Sequence, residues 1–356
     1  MFMWYYYIRG ENMAFYDGTK LLSLKDINGE TPQFYLCTTN RTGGKTTYFS
    51  RLLINRFLKT GKKFVILYRF SYELGNCGEQ FFNDIHDLFF PEHQLTSLAK
   101  CKGKYYELLL DNAVCGYALA INNAEFYKRR SHLFNTVETI FFDEFQSETG
   151  KYCANEIRKF KSIIVSICRG QGKQYRYVPV YMCGNMITIL NPYFTSMGIA
   201  DRIRDNTIFL RGNGYVLEQG FIDSAADAQR ASALFSAFSG DEQFNNYSTQ
   251  KTYLNDNMAL IERPKGNGNY IATIVYKDKN YSITEYPELG VVYCGTHVDL
   301  TYPFKVCLSS EDMDVNYVIL KRCSTFVNTM RYYFDHGCFR FKNLECKEVI
   351  LKALTY

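Results

Sequence analysis

The 356-residue chain carries 41 Lys and Arg against 36 Asp and Glu, which gives a formal net charge of +5. Hydrophobic residues make up 47% and charged residues 22%, a composition that excludes an intrinsically disordered chain, and the length allows two domains. The small positive charge permits a polyanionic partner without requiring one. Any nucleic-acid contact must therefore come from local clusters of basic residues.

The 12 cysteines are scattered along the sequence, without a C-x-x-C pair and without a cluster of Cys and His. This spacing argues against a zinc site and a disulfide framework, and it favours free thiols in a reducing compartment. The N-terminal sequence lacks a signal-peptide pattern, and no apolar run in the sequence reaches the roughly 18–20 residues of a membrane span. We therefore expect a soluble, cytoplasmic protein without a membrane partner.

Predicted strands and helices alternate in the first half of the chain. The predicted strands lie at residues 33–37, 63–69, 105–110, 116–121, 138–144 and 177–185. The predicted helices, which have apolar residues at helical spacing, lie at residues 46–60, 79–90 and 155–168. This alternation predicts an α/β fold with a mostly parallel sheet that is covered by helices on both faces.

The sequence pattern changes after residue 206. The expected elements are an Ala-rich helix at 224–239, a β-hairpin at 270–284 around a polar turn at 277–280, a strand at 290–294 and a helical tail at 323–354. We predict three regions, namely a first domain at 1–205, a helical linker or lid at 206–244 and a smaller α+β domain at 245–356.

The segment TNRTGGKTT at residues 39–47 lies between a predicted strand and a predicted helix, as a phosphate-binding loop requires. Glycines there let backbone N–H groups approach phosphates, and Lys45 can reach the β- and γ-phosphates. Thr39 stands where the usual pattern has glycine, so a glycine turn with a solvated lysine is the alternative. We assign nucleotide contacts to Thr39, Asn40, Arg41, Thr42, Gly43, Gly44, Lys45, Thr46 and Thr47.

Polar side chains end two later strands. Asp143 is expected to hold Mg²⁺ together with the hydroxyl of Thr46, and Glu144 is expected to orient or activate the attacking water. Asn185 ends the next strand and is expected to sense the γ-phosphate of ATP. Strand-end residues that only cap loops are the alternative. Together with the phosphate loop, these residues favour an ATP-hydrolysing P-loop NTPase.

Arg41, the Asp143-Glu144 pair and the segments MCGN at 182–185 and NPYF at 191–194 resemble motifs of the genome-packaging ATPases of phi29-like phages. The resemblance covers most of residues 30–200. It implies an additional-strand (ASCE) P-loop motor that forms a homo-oligomeric ring. The ring would be a pentamer on the prohead, whereas the isolated chain can be a monomer. Such a motor drives double-stranded DNA through the portal into the prohead. It works in the host cytoplasm, and a packaging RNA is a further implied partner.

The resemblance also implies roles for two arginines. Arg41 would contact the phosphates or turn toward the catalytic acid, which agrees with the ability of a guanidinium to neutralise charge on a transferred phosphoryl group. Arg169 has a position that resembles that of the arginine donated in trans by a neighbouring subunit, and Arg176 is the second candidate. A residue that merely complements the end of a helix is the alternative interpretation of Arg169.

Two basic loops flank the strands that precede Asp143. Their residues can bind DNA backbone phosphates without reading bases, although ordinary solvated loops are the alternative. The expected contacts are Lys102, Lys104, Lys128, Arg129 and Arg130. For the adenine pocket, the sequence offers Tyr5, Tyr7 and Arg69 without further support.

The C-terminal domain is expected to be a vestigial, ribonuclease-H-like nuclease. Terminases carry a nuclease in this position, and its two-metal chemistry needs acids on the first strand. The first hairpin strand here, YIATIVY, has none. Two other functions stay open for the whole chain, namely another P-loop translocase or helicase and a nucleotide-binding assembly protein. The absence of a second motor domain in the sequence argues against a helicase, and Glu144 argues for hydrolysis.

Overall fold

The computed structural model describes residues 6–8, 11–13, 15–189, 191–200, 202–203, 207–237 and 262–354. These residues belong to two compact units, Met1–Asn255 and Asp256–Tyr356. None of the described helices has the length and apolar character needed to cross a membrane.

The first unit alternates strands with helices. Its strands are β1 (Tyr6–Ile8), β2 (Glu11–Met13), β3 (Phe34–Thr39), β4 (Lys63–Tyr68), β5 (Leu95–Lys100), β6 (Tyr105–Leu110), β7 (Ala113–Ala120), β8 (Val137–Phe142), β9 (Val180–Asn185), β10 (Phe209–Gly212) and β11 (Tyr215–Gln219). Its helices are α1 (Thr19–Ser23), α2 (Lys45–Thr60), α3 (Cys77–Phe89), α4 (Ala124–Lys128), α5 (Glu156–Cys168), α6 (Pro192–Ser196), α7 (Asp223–Arg230) and α8 (Ala233–Ala237). Short 3-10 helices lie at Ser71–Asn76, Ile121–Asn123 and Ser131–Phe134.

Nine strands form one sheet in the order β10-β11-β3-β9-β8-β4-β7-β6-β5. The six strands from β11 to β7 are parallel to one another, and antiparallel strands extend the sheet at both ends. Strand β9 lies between β3 and β8, which is the added strand of the predicted ASCE arrangement. The parallel strands end at a common edge of the sheet, which we name the carboxyl edge; the opposite edge is the amino edge. The predicted α/β class is confirmed.

Helices cover both faces of this sheet because consecutive residues of its strands point to opposite sides. Phe141 packs against Phe49 of α2, with ring centroids 5.8 Å apart. The next residue, Phe142, packs instead against Phe160 of α5 at 5.9 Å. All four phenylalanines are almost completely buried. The central strands are therefore apolar on both faces, and polar chemistry is confined to the edges where the strands end.

The predicted helical linker at 206–244 is wrong for its first part. Residues Phe209–Gly212 and Tyr215–Gln219 form β10 and β11, and β11 pairs in parallel with β3. The strand was hidden in the sequence because it ends in the polar pair Glu218-Gln219, both buried. The hydroxyl of Tyr16 donates to Glu218 Oε2 at 2.7 Å, which compensates the burial of that carboxyl.

The Ala-rich segment forms two short helices, α7 and α8, rather than the single helix predicted for 224–239. The hydroxyl of Ser232 donates to the carbonyl oxygen of Gln229 at 2.7 Å and accepts from the N–H of Phe235. Ser232 thus ends one helix and begins the next, a position that serine favours. The remainder of the predicted linker, after residue 237, lies outside the described residues.

The described residues of the second unit, 262–354, form a six-stranded sheet with two α-helices. Its elements are β12 (Asn269–Tyr276), β13 (Lys279–Tyr286), β14 (Val291–Gly295), β15 (Lys305–Cys307), β16 (Val318–Ile319), α9 (Ser324–Asp335), β17 (Phe339–Phe341) and α10 (Leu344–Leu354), with 3-10 helices at Pro287–Leu289 and Leu320–Arg322. The strand order is β16-β15-β12-β13-β14-β17. The predicted hairpin is present, but its turn is only Lys277-Asp278, both with positive φ, as a tight two-residue turn requires.

Candidate active site

The phosphate loop joins the end of β3 to the start of α2 at the carboxyl edge. Gly44 immediately precedes α2 and has a φ of 85°, a conformation that glycine adopts without steric cost. The first N–H groups of α2 lack partners within the helix and carry its partial positive charge. The loop and the helix N-terminus together can therefore bind an anion such as a phosphate group.

Lys45 is buried at the centre of the site, with 7% of its surface exposed. Its ammonium donates to Thr39 Oγ1 at 2.8 Å, to the carbonyl oxygen of Asn40 at 3.2 Å and to Asn185 Oδ1 at 3.0 Å. Burial lowers the pKa of Lys45, while neighbouring acidic groups, Asp143 among them, raise it. Thr39 stands where the usual loop pattern has glycine. Its hydroxyl supplies an acceptor for the Lys45 ammonium that a glycine would lack.

The side chains predicted to hold a metal ion lie in direct contact. Thr46 Oγ1 donates to Asp143 Oδ2 at 2.8 Å, and the N–H of Glu144 donates to Asp143 Oδ1 at 3.0 Å. Hydroxyl and carboxylate oxygens suit Mg²⁺, which usually takes one or two protein ligands and completes its shell with water and phosphate. Within the described part of the chain, no group of three His, Cys, Asp or Glu side chains is placed to hold a metal. The Thr46 hydroxyl and the Asp143 carboxylate fit a Mg²⁺ ion that also binds nucleotide phosphates.

Glu144 follows Asp143 in a left-handed backbone conformation, with a φ of 53°. Glu144 is exposed at the surface. The surrounding protein nevertheless desolvates its carboxyl and raises the pKa, and the carboxylates of Asp143 and Glu148 raise that pKa further. Arg41 and another arginine nearby act in the opposite direction and lower it. A carboxyl with a raised pKa at the mouth of a phosphate site is suited to accept a proton from water.

Arg41 faces Glu148, a residue that no sequence motif indicates. Arg41 Nη2 lies 2.9 Å from Glu148 Oε1, and Asn185 Nδ2 donates to the same oxygen at 3.4 Å. Because Asn185 also accepts from Lys45, a continuous chain of polar contacts runs from Lys45 to Arg41. Glu148 lies in a polar loop four residues after Glu144, and this position was the only indication of it in the sequence. Nothing in the sequence indicates that it pairs with Arg41.

Asn40 connects the phosphate loop to the segment between β11 and α7. Its amide accepts from the N–H of Ile222 at 2.9 Å and donates to the carbonyl oxygen of Ile222 at 3.1 Å. Gln229 Nε2 donates to the carbonyl oxygen of Arg41 at 3.1 Å and to Thr42 Oγ1 at 2.7 Å. Part of the segment predicted as a linker or lid is therefore bonded directly to the nucleotide loop.

The two arginines considered for action in trans differ in exposure. Arg176 is buried and bonded within its own chain, to Glu138 at 3.3 Å and to the carbonyl oxygens of Val137 and Ile167. Its candidacy is contradicted, because these bonds hold the guanidinium inside the protein. Arg169 is exposed at the end of α5. Since α5 runs back from the carboxyl edge for about 20 Å, Arg169 lies far from the phosphate loop of its own chain.

The two basic loops meet at the carboxyl edge. The hydroxyl of Tyr127 donates to the carbonyl oxygen of Lys104 at 2.8 Å, which joins the β5–β6 turn to helix α4. The exposed members of this basic pair of loops are Lys102, Lys104, Lys128 and Arg129. Arg130 is half-buried, with its guanidinium 4.2 Å from the centre of the Phe126 ring.

Among the residues suggested for the adenine pocket, only Arg69 has a described side chain, and the structure contradicts its role there. Arg69 is buried and bonded to Glu156 at 3.1 Å, so its guanidinium is unavailable to a nucleobase. Tyr5 lies outside the described residues, and the side chain of Tyr7 is also outside them. Phe15 lies beside Gly44 and is 54% exposed, but the sequence alone gives no reason to select it.

Comparison with known proteins places these features in a family. The sequence profile of the family described as Podovirus DNA encapsidation protein (Gp16) matches residues 11–355. The DNA packaging protein of Bacillus phage B103 is 26% identical over 297 residues, which cover 80% of this chain and 87% of that protein. The DNA packaging protein of Bacillus phage phi29 is 22% identical over 306 residues, which cover 84% of this chain and 86% of that protein.

Two solved structures share the fold over most of the chain. The bacteriophage Phi-29 viral genome packaging motor assembly aligns with a TM-score of 0.62 and 23% identity, covering 95% of this chain and 99% of that chain. The Phi-28 gp11 DNA packaging motor aligns with a TM-score of 0.60 and 13% identity, covering 96% of each chain.

Proposed function

Because the chain belongs to the podovirus DNA encapsidation protein (Gp16) family, we propose that it is the ATP-driven motor that packages double-stranded DNA into a viral prohead. The resemblance to phi29-like packaging ATPases that its motifs predict is confirmed by this membership. The observation that carries the proposal is the contact of the phosphate loop with the strand-end residues. Lys45 reaches Asn185, and Thr46 reaches Asp143, at one edge of the sheet.

The residues of this site have distinct tasks in the proposed reaction. Backbone N–H groups of the loop and Lys45 bind the β- and γ-phosphates, and Thr46 and Asp143 hold Mg²⁺. Mg²⁺ held by these residues would neutralise charge on the phosphate oxygens. Glu144 orients water for attack and accepts its proton. Asn185 contacts both Lys45 and Glu148, so it is placed to respond when the γ-phosphate arrives.

Two arginines complete the proposed mechanism. Arg41 leaves Glu148 when ATP binds and stabilises charge on the transferred phosphoryl group. Arg169 enters the site of a neighbouring subunit in a ring and stabilises the same charge in trans. Its exposure at the end of α5 supports this role, since it lies far from the site of its own chain.

The partners follow from the family and from surface charge. We propose a homo-oligomeric ring, a pentamer on the portal of the prohead, that acts in the host cytoplasm and contacts a packaging RNA there. The names of the relatives support the packaging role, and the Phi-29 structure, which is named as a motor assembly, supports an oligomeric motor. The exposed basic residues of the two joined loops are proposed to grip the DNA backbone, which bears closely spaced phosphates.

The second unit is proposed to be a ribonuclease-H-like domain that has lost its nuclease. Strands β14-β13-β12-β15-β16 are adjacent in that order, with β12 parallel to β15 and antiparallel to β13. This 3-2-1-4-5 arrangement supports the fold. The sequence of β12 supplies no acid for a two-metal site, which supports the loss of activity.

The experiment that tests the hydrolytic site replaces Glu144 with Gln. The variant keeps the shape of the side chain but removes its ability to accept a proton. We expect ATP turnover to fall by about 10² to 10⁴-fold while ATP still binds with nearly unchanged affinity. A matched control, Glu125→Gln on the exposed face of α4, should change neither quantity. Turnover by Glu144→Gln at the parent rate would refute the assignment of the base.

A further inference from the structure

The residues that follow α5 form an exposed loop that carries Arg169, and we name residues 169–175 the arginine loop. Every residue of this loop except Gly170 is exposed. The described residues offer the Arg169 side chain no hydrogen bond or ion pair. Because no partner in its own chain fixes this cation, the place from which it can reach another subunit depends on how firmly the loop backbone is held.

The arginine loop folds back on itself through a tight turn. Gly170 and Lys173 exchange two backbone hydrogen bonds, of 3.4 and 3.1 Å. The turn uses positive φ angles of 117° at Gly170, 55° at Gln171 and 75° at Gly172. Glycine adopts such angles without steric cost. The loop therefore has a defined shape of its own, and its position in the protein depends on what holds its base and its sides.

Arg176 closes the base of the arginine loop. Its backbone N–H donates to the carbonyl oxygen of Cys168 at 2.7 Å, so the residues on either side of the loop are bonded to each other. Its guanidinium donates to the carbonyl oxygen of Ile167 at 2.9 Å and to that of Val137 at 2.8 Å, and it lies 3.3 Å from Glu138 Oε1. Arg176 thus ties the end of α5 to the start of β8.

The chemistry of these contacts requires an arginine. A guanidinium spreads five N–H donors in a rigid, planar fork and so reaches two carbonyl oxygens and a carboxylate together, whereas a lysine ammonium is a compact point charge. The carbonyl oxygen of Ile167 lies in the last turn of α5, where helical carbonyls lack a partner within the helix. Glu138 compensates the charge of the buried guanidinium.

A second set of contacts holds the sides of the arginine loop. Gln171 Nε2 donates to the carbonyl oxygen of Asn135 at 2.9 Å. A Cβ atom at Gly170 would lie only 2.9 Å from the Cβ atom of Asn135, so the loop packs directly against this residue. On the other side, the hydroxyl of Tyr175 donates to Gln33 Oε1 at 2.7 Å. These contacts hold the loop without using its exposed arginine.

We propose that Arg176 is a positioning residue that fixes the base of the arginine loop and so presents Arg169 to the nucleotide site of a neighbouring subunit. The inference rests on the proposed function, because Arg169 acts in trans only in an assembled ring. The two arginines that the sequence offers for one role therefore have separate roles, Arg169 as the donated cation and Arg176 as its support. The packing of Gly170 against Asn135 gives the loop its second support.

This arrangement predicts that the isolated chain and the assembled ring respond differently to a change at the base of the loop. The partners of Arg176 lie in α5 and at the start of β8, and none of them is a residue assigned to phosphate, Mg²⁺ or water. A change there leaves the nucleotide site of the same chain in place but displaces the cation that a neighbour receives. Small displacements of a catalytic group have large effects on rate.

The first experiment measures ATP turnover of Arg176→Lys in the isolated chain and in rings on proheads. The lysine keeps a charge for Glu138 but cannot hold both carbonyl oxygens. Turnover of the isolated chain and the Kd for ATP should stay within about twofold of the parent, whereas the kcat of the assembled ring should fall by about 10-fold. Arg56→Lys is the control, because Arg56 is a partly buried arginine that donates to Thr139 and not to the arginine loop.

A second variant moves the arginine loop without touching the buried arginine. Gly170→Ala places a methyl group against Asn135 and strains a backbone with a φ of 117°, so it should displace the loop and lower the kcat of the assembled ring by about 10-fold. Gly61→Ala is the matched control. Gly61 also has a positive φ, of 68°, but an added Cβ atom there would meet nothing within 4 Å.

A double variant distinguishes positioning from a general structural role. If Arg176 acts only through Arg169, then Arg169→Ala combined with Arg176→Lys should have the same assembled turnover as Arg169→Ala alone. Residues that act independently would instead give losses that add. Prohead binding by every variant is measured in parallel, so that turnover is compared at equal occupancy of the proheads.

The outcomes separate the inference from the proposed function. If Arg169→Ala loses the rise in turnover on assembly while Arg176→Lys and Gly170→Ala keep it, the positioning role fails and the trans role of Arg169 stands. An equal loss in the isolated chain, or a further loss in the double variant, would show a general structural role and overturn the inference. No rise in the parent, or a full rise in Arg169→Ala, would contradict the proposed trans mechanism and the inference with it.

Discussion

In the first unit, the polar side chains at the ends of β3 and β9 and immediately after β8 all hydrogen-bond to the first two residues of α2, and Lys45 is buried among them. In the second unit, the buried polar side chains of the sheet are hydroxyls, and the charges of its hairpin form exposed pairs, Lys277 with Glu348 and Lys279 with Glu345. Exposed pairs contribute at most about 1 kcal/mol, whereas charges withdrawn from water act strongly on one another. Reactivity in this protein therefore depends on where charge is buried, not on how much charge a sheet carries.

The largest effect should come from Lys45→Ala in the first unit. The change removes the cation that contacts Thr39 and Asn185, and with it both nucleotide binding and charge stabilisation, so ATP turnover should fall below detection whether or not the ring is assembled. The matched change in the second unit, Lys279→Ala, breaks an exposed pair and should leave turnover within about twofold. Steady-state ATP hydrolysis measures both. Equal losses of ATP turnover in the two variants would contradict the claim that buried charge in the first unit is responsible for reactivity.

The next largest effect tests whether the site of the first unit is completed by a neighbour. Arg169→Ala should remove the rise in ATP turnover that occurs when the ring assembles on proheads, a loss of about 10³-fold or more relative to the assembled parent. The rate of the isolated chain should not change. Arg158→Ala, an exposed arginine on the same helix, is the control. A full rise on assembly without Arg169 would exclude it as the trans arginine.

A smaller effect compares the two edges of the first sheet. Lys102→Ala with Lys128→Ala removes one exposed charge from each of the joined basic loops at the carboxyl edge. The slope of log affinity for DNA against log salt should decrease by about one for each lost phosphate contact. Lys59→Ala with Lys62→Ala removes two exposed charges at the amino edge and should leave the slope unchanged. If both double variants gave the same slope of log affinity against log salt, the basic loops would not be the DNA-binding site.

The smallest effect concerns Glu148→Gln, which releases Arg41. Both side chains are more than a third exposed, so the pair should stabilise the fold by less than about 1 kcal/mol. Removing a negative charge near the phosphates and freeing the guanidinium should lower the KM for ATP by up to about fivefold. Glu311→Gln, an exposed acid in the second unit, is the control. A raised KM would show that Glu148 helps nucleotide binding.

Much of the first unit could be predicted because its signals are local. Apolar runs marked the central strands, and the glycines before Lys45 marked the loop and the start of α2. Since the carboxyl ends of parallel strands meet at one edge, Asp143 and Asn185 could be placed beside the loop from the sequence alone. The contacts of Lys45 with Asn185 and of Thr46 with Asp143 agree with that placement.

The remainder depends on contacts between residues far apart in the sequence. Arg69 and Glu156 are separated by 87 residues, so the sequence around either residue does not indicate that its side chain is buried or paired. Strand β11 was missed because its buried Glu218 looks like a surface residue until its hydrogen bond from Tyr16 is known. The pairing of Arg41 with Glu148 was missed for the same reason, since a loop sequence does not specify which side chains meet.

The most direct test of the account measures DNA that becomes protected from nuclease inside proheads, with parent protein or with Glu144→Gln, in the presence of ATP. The parent should protect full-length DNA, whereas Glu144→Gln should bind ATP and proheads but protect none. Protection of DNA by Glu144→Gln at the parent level would contradict the claim that ATP hydrolysis at this site drives packaging.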